Sequence, residues 1–181
     1  MHLPVFKPST ISNLPAFLAL KRGYVTQRAF FFGAVLFRGW DVPSAREFEA
    51  AVDALDLQPY NIHQSAAPRT RIRESVFTAN DAPPSEKIPF HHELGQRSDP
   101  PEYIFFHCEK ASKNGGATPL ADSREIASYV RAKYPRVYHK IQKGVRYRRV
   151  MPNLDDESSP IGRSWRATLG IEDEADLSSA F

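Results

Sequence analysis

The sequence predicts an α+β fold, mainly β, in which short strands form the core and helices flank it. Three observations point there. The chain has 181 residues, 41% of them hydrophobic and 12% aromatic, which is the composition of a folded globule with a sizeable core. Fifteen prolines against nine glycines argue against a helical bundle. The apolar residues also fall in short β-branched and aromatic runs bounded by turn residues.

In chain order, Ser9 to Asn13 supplies capping residues ahead of an apolar stretch, which predicts a short packing helix from Leu14 to Arg22. Phe30 to Gly39 is a continuous run of strand formers and reads as a buried strand. From Pro43 to Leu55, the residues Phe48, Ala51, Val52 and Leu55 share one helical stripe behind a proline and a serine, the pattern of an amphipathic surface helix. Tyr60 to Arg73 is loop-like. Its alternating Arg69, Arg71 and Arg73 fit a solvated strand edge, with a role in an anionic pocket as the alternative. Ser75 to Asn80 reads as a strand leading into the turn-rich loop Asp81 to Ser85, and Tyr103 to Glu109 as another buried strand. Lys113 to Gly116 is a tight turn delivering Thr118 into the next strand, because Asn and Gly tolerate positive φ. A helix is expected from Asp122 to Lys143, interrupted at Pro135, then a strand from Gly144 to Val150 and a loop from Pro152 to Gly170.

The net charge of +3 is unevenly placed: residues 151–181 hold seven acids and two arginines, so by difference the preceding body carries +8. The eight Lys and Arg between Arg131 and Arg149 have the spacing of a solvated helix face and a following strand, so no nucleic-acid partner is expected. A basic body suits an anionic cosubstrate. The single Cys108, flanked by aromatics, rules out an internal disulfide and reads as a small core residue. Runs of about 20 apolar residues are absent, so no membrane association is expected. The compartment read from the sequence is cytoplasmic, although residues 1–40 contain five Lys or Arg and no acid, a bias shared with organellar transit peptides.

The chemistry concentrates in Ile88-Pro89-Phe90-His91-His92-Glu93-Leu94-Gly95-Gln96. In an extended segment His91 and Glu93, two apart, point to one face and His92 to the other. One imidazole with one carboxylate suits a divalent transition metal, as in the facial triads of non-haem Fe(II) oxygenases, but the same pair also fits a solvated strand edge. Together with Pro68-Arg69-Thr70, Val76 to Asn80, Phe105 to Glu109 and Gly115-Gly116-Ala117-Thr118-Pro119, this motif resembles the taurine catabolism dioxygenase (TauD/TfdA) family. The nearest match is its clavaminate synthase-like branch, and the resemblance runs from Gly33 to Leu169.

The resemblance implies a double-stranded β-helix, or jelly roll, with Gly33 to Gly39 opening the core sheet. It implies Fe(II) held by His91 and Glu93, a carboxylate of 2-oxoglutarate held by Thr118, and hydroxylation of a small organic substrate. In the family the second iron-binding histidine and the arginine gripping 2-oxoglutarate lie further towards the C-terminus, and neither can be placed here, since no histidine follows His139 and no Lys or Arg follows Arg166. Of the histidines outside the motif, His139 sits at a helical surface position and His107 reads as a hydrogen-bonded core or interface residue. The expectation is therefore one domain over residues 1–181, a jelly roll incomplete at its C-terminus and self-associating through an exposed sheet edge. A non-catalytic binding module built on the same sheet is the alternative, and a cupin-like metal protein using His139 or His107 is a third.

Overall fold

The computed structural model describes residues 3–60, 69–81, 87–95, 99–156, 158–159 and 162–179. The chain divides into two compact units. One combines the chain up to Leu57 with His107–Tyr147, and the other combines Gln58–Phe106 with the chain from Arg148 onward.

The first unit begins with a strand, a crossover helix and a second strand. β1 (Val5–Phe6) pairs in parallel with β2 (Leu36–Phe37), Val5 opposite Leu36 and Phe6 opposite Phe37. Between them runs α1 (Leu14–Phe32), whose N-terminus is closed by the Asn13 side chain accepting from the Ala16 amide at 2.9 Å. This helix is longer than expected and absorbs Phe30, Phe31 and Phe32, the start of the expected buried strand. Local pairs account for the difference: Arg28 lies over the rings of Tyr24 and Phe32, four residues to either side, which favours the helix. The helix kinks at Lys21 and ends only at Gly33, whose φ of 79° is left-handed.

α2 (Ala45–Asp53) forms where the stripe predicts it, with Ser44 as N-cap accepting from the Arg46 amide and bonded to Glu47. α1 and α2 enclose the buried cluster Leu14, Leu18, Val25, Ala51 and Leu55, against which Phe6, Phe17, Phe37 and Trp40 pack. Arg22 ties the two together at the surface, pairing with Asp56 at 2.8 Å and donating to the Ala54 carbonyl. The expected interrupted helix is also present, as α3 (Ser123–Lys133) and α4 (Pro135–Ile141). It breaks where Tyr134 leaves helical geometry ahead of the proline. Arg124 grips Asp122, the N-cap of α3, and donates to the carbonyls of Phe30 and Phe31 at the end of α1.

In the second unit, residues 70–78 double back: Arg71 and Phe77 form an antiparallel bridge, and the Thr78 amide donates to the Thr70 carbonyl at 2.9 Å. α5 (Trp165–Leu169) occupies part of the expected loop, because Ser164 caps it from one end and Gly170, at φ 70°, closes the other. Asp155 accepts from the Ser164 amide at 2.7 Å, and that bond, first among its causes, lowers its pKa.

The strands expected at Tyr103–Glu109 and Gly144–Val150, and after the Gly115-Gly116 turn, do not form among the described residues. A strand is a pairing rather than a property of one segment, and these segments find no ladder partner; Ile104, Phe105, Phe106, Val145 and Tyr147 stay exposed. Among the described residues the regular elements are helices and one two-stranded parallel sheet, and the jelly roll expected from the sequence is not seen. Cys108 is exposed, not the core residue expected. Of the expected loops at Tyr60–Arg73 and Asp81–Ser85, residues 61–68 and 82–85 lie outside the described residues. None of the described helices is long and apolar enough to cross a membrane.

Candidate metal centre

His91 and Glu93 lie in the second unit on non-helical backbone, immediately before and within a turn. The turn closes with the Gly95 amide donating to the His92 carbonyl at 3.3 Å. Leu94, between Glu93 and Gly95, is buried and takes a left-handed φ of 49°.

The His91 ring is exposed, and its Nδ1 lies 2.8 Å from the Pro89 carbonyl oxygen. A carbonyl can only accept, so Nδ1 carries the proton and Nε2 of the neutral ring is left with the lone pair. Metal-ligating histidines commonly have this arrangement, with the far nitrogen anchored on a backbone carbonyl and the near one free to coordinate.

Glu93 is held differently. One of its oxygens, Oε1, accepts from Arg69 Nη2 at 3.1 Å, and the two side chains retain only 16% and 14% of their exposure. The alternation of Arg69, Arg71 and Arg73 fitted a solvated strand edge, with a role in an anionic pocket as the alternative, and the three differ. Arg71 and Arg73 are exposed, with Arg71 over the Phe77 ring, whereas Arg69 turns inward and its Nε is buried without a hydrogen-bond partner. Arg69 departs from the solvated strand edge and lies nearer the alternative left open by the sequence, a pocket role, although the partner it meets is a carboxylate. Nearby, Asp81 titrates below its ordinary value, chiefly through a hydrogen bond from Thr78, with Thr70 and the charge of Arg69 adding to the effect.

Thr118 belongs to the first unit and is exposed, two residues beyond Gly116; Gly115 and Gly116 take the positive φ expected of them, 71° and 73°, just after a bend. His107 stacks on Phe48 with ring centres 5.1 Å apart, and His139 is exposed in the last turn of α4. Among the described residues no three of His, Cys, Asp and Glu cluster closely enough to hold a metal ion. The donor types at hand are one imidazole with Nδ1 on a backbone carbonyl and one carboxylate with Oε1 on Arg69.

The comparisons with known proteins place the chain in a dioxygenase family. The chain matches the model of the taurine catabolism dioxygenase TauD, TfdA family over residues 9–168, and it belongs to that family. It is similar to a clavaminate synthase-like protein of Arabidopsis thaliana, 39% identical over 171 residues, which is 92% of this chain and 52% of that protein. It is also similar to the dapdiamide synthesis protein DdaC of Enterobacter agglomerans, 28% identical over 117 residues, covering 65% of this chain and 35% of that protein. The chain thus spans about half the length of the first of these relatives and about a third of the second.

Proposed function

We propose that this chain carries the His-x-Glu part of an Fe(II)/2-oxoglutarate dioxygenase site acting on a small organic molecule. His91 through Nε2 and Glu93 through its carboxylate would hold the ferrous ion, and Thr118 would donate to a carboxylate of 2-oxoglutarate. The ion, when bound, supplies oxidative decarboxylation of the cosubstrate coupled to hydroxylation, as family membership suggests. The observation that carries the reading is the bond from His91 Nδ1–H to the Pro89 carbonyl, which leaves the other nitrogen available before any ion arrives. The protein's own work is to fix that tautomer, to turn the backbone behind Glu93 at Leu94, and to shield the carboxylate partly from water.

The jelly roll belongs to the same proposal. Tyr103–Glu109 and Gly144–Val150 would be sheet strands whose partners lie in the length of the relatives that this chain does not span.

Calorimetric titration with Fe(II) under anaerobic conditions tests the site. Two protein ligands predict weak binding that His91→Ala and Glu93→Ala each abolish. In the presence of Fe(II), Thr118→Ala should weaken 2-oxoglutarate binding about ten- to a hundredfold, the worth of one hydrogen bond to a charged group, about 1.5 to 3 kcal/mol. Fe(II) binding that survives both ligand substitutions would overturn the reading. The absence of a three-donor cluster among the described residues favours a second reading, a binding module without catalysis. That module would bind no Fe(II) at millimolar concentration.

A further inference from the structure

The metal-site reading above leaves one cation unexplained, the inward-turned Arg69, and the inference drawn here rests on that reading. We propose that Arg69 is the positioning residue of the site: it holds Glu93 by Oε1, so that Oε2 is the oxygen presented to a divalent cation.

Three observations set this role apart from competition between guanidinium and metal. The contact is single. Arg69 Nη2 reaches Oε1 alone at 3.1 Å, whereas a two-pronged fork would occupy both carboxylate oxygens and leave none to coordinate. Both partners are also fixed in place. Next to Arg69, the Thr70 amide donates to the Thr78 hydroxyl at 2.8 Å and the Thr70 carbonyl accepts from the Thr78 amide; next to Glu93, Leu94 is buried in its left-handed turn. With both side chains mostly shielded, the pair is no mobile surface contact. The charge of Arg69 is shared, too. Asp81, anchored by the Thr70 hydroxyl at 2.8 Å, feels that charge as well, though less than its hydrogen bonds from Thr78 and Thr70, so a second carboxylate stands in the field of the arginine that a cation arriving at Glu93 would meet. A ligating carboxylate whose other oxygen is held by a buried donor is oriented before the ion binds.

Co(II) serves as the probe, because its visible absorption reports both occupancy and ligand geometry. Arg69→Ala in the full chain should weaken Co(II) binding about ten- to a hundredfold, the usual effect of removing an outer hydrogen-bond partner of a ligand. Arg69→Lys, which can still give one charged donor to Oε1, should bind within about tenfold of the unmodified chain and keep its absorption spectrum. In metal-free urea unfolding the losses from Arg69→Ala and Glu93→Ala should not add in the double variant, since the two act as one unit. The proposal is overturned if Arg69→Ala binds Co(II) as tightly as the unmodified chain or more tightly, or if the two stability losses add in full in the double variant. Should Arg69→Ala fail to fold, Arg69→Lys decides: weakening as complete as that of Glu93→Ala, or a changed spectrum, overturns it. If the unmodified chain itself binds no Co(II), the metal-site reading fails instead, which is a separate result.

Discussion

Leu18 belongs to the buried cluster that α1 and α2 enclose and retains 3% of its exposure. Leu18→Ala removes three carbon groups from that cluster, and at about 0.8 kcal/mol each the lost transfer energy is about 2.4 kcal/mol. A cavity would add to this. The neighbours Phe6, Phe17 and Trp40 are only partly buried and free to settle inward, which places the total near the lower end of the usual range, about 2.5 to 3 kcal/mol. For a chain of this size the loss corresponds to a fall in Tm of about 5 to 12 °C. Trp40 is a reporter within the same cluster, since its ring lies 4.9 Å from that of Phe17 and its Nε1 donates to the Phe6 carbonyl at 3.1 Å. Urea titration followed by Trp40 fluorescence, with Trp165→Phe as background, reads the change directly. Leu20→Ala is the control: with Leu20 66% exposed on the same helix, it should cost less than about 0.5 kcal/mol. A loss below about 1 kcal/mol at Leu18, or equal losses at both positions, would refute the packing of α1 on α2.

Two further substitutions probe local structure. Asp122 has its pKa lowered from 3.8 to about 2, chiefly by the side-chain hydrogen bond from Arg124. Because the folded-state value lies below the unfolded one, its stabilisation is complete above about pH 4 and is lost as the pH falls through about 2. The Tm difference between the unmodified chain and Asp122→Asn should therefore shrink from pH 4 to pH 2; a constant difference across that window counts against it. At Gly162 an added Cβ would lie 1.7 Å from the Asp156 carbonyl oxygen, inside a turn that the Asp156 amide closes by donating to the Gly162 carbonyl at 2.8 Å. Gly162→Ala should cost about 1 to 3 kcal/mol, read from Trp165 fluorescence, and tolerance within about 0.5 kcal/mol would be incompatible with that turn.

The helices were legible where a cap and a stripe agree. Ser44 with Phe48, Ala51 and Leu55 announces α2, and Asp122 with Pro135 sets both the start and the break of α3 and α4. α1 was legible only in its first half. Its second half consists of strand formers kept helical by contacts four residues apart, through Arg28, which composition does not reveal. The strands were the least legible elements, because a run such as Tyr103 to Glu109 states a preference for extension without naming a partner. At the site, the ligand types of His91 and Glu93 could be read from the motif. The state of each could not, since one depends on a carbonyl without side-chain identity and the other on Arg69, 24 residues away.

The turn behind Glu93 is maintained in an unusual way. Glycine or asparagine would accept its left-handed backbone easily, yet the residue there is Leu94, for which that conformation costs about 1 to 2 kcal/mol. Burial of the side chain, with 6% of its exposure left, is of comparable size and opposes that cost. The turn therefore persists through that packing together with the long bond from the Gly95 amide to the His92 carbonyl, and its margin is thin. Warming that loosens the contacts of Leu94 would let the backbone swing out and carry Glu93 with it while the rest of the chain is still folded. The carboxylate's position, and any affinity that depends on it, thus has a melting temperature of its own.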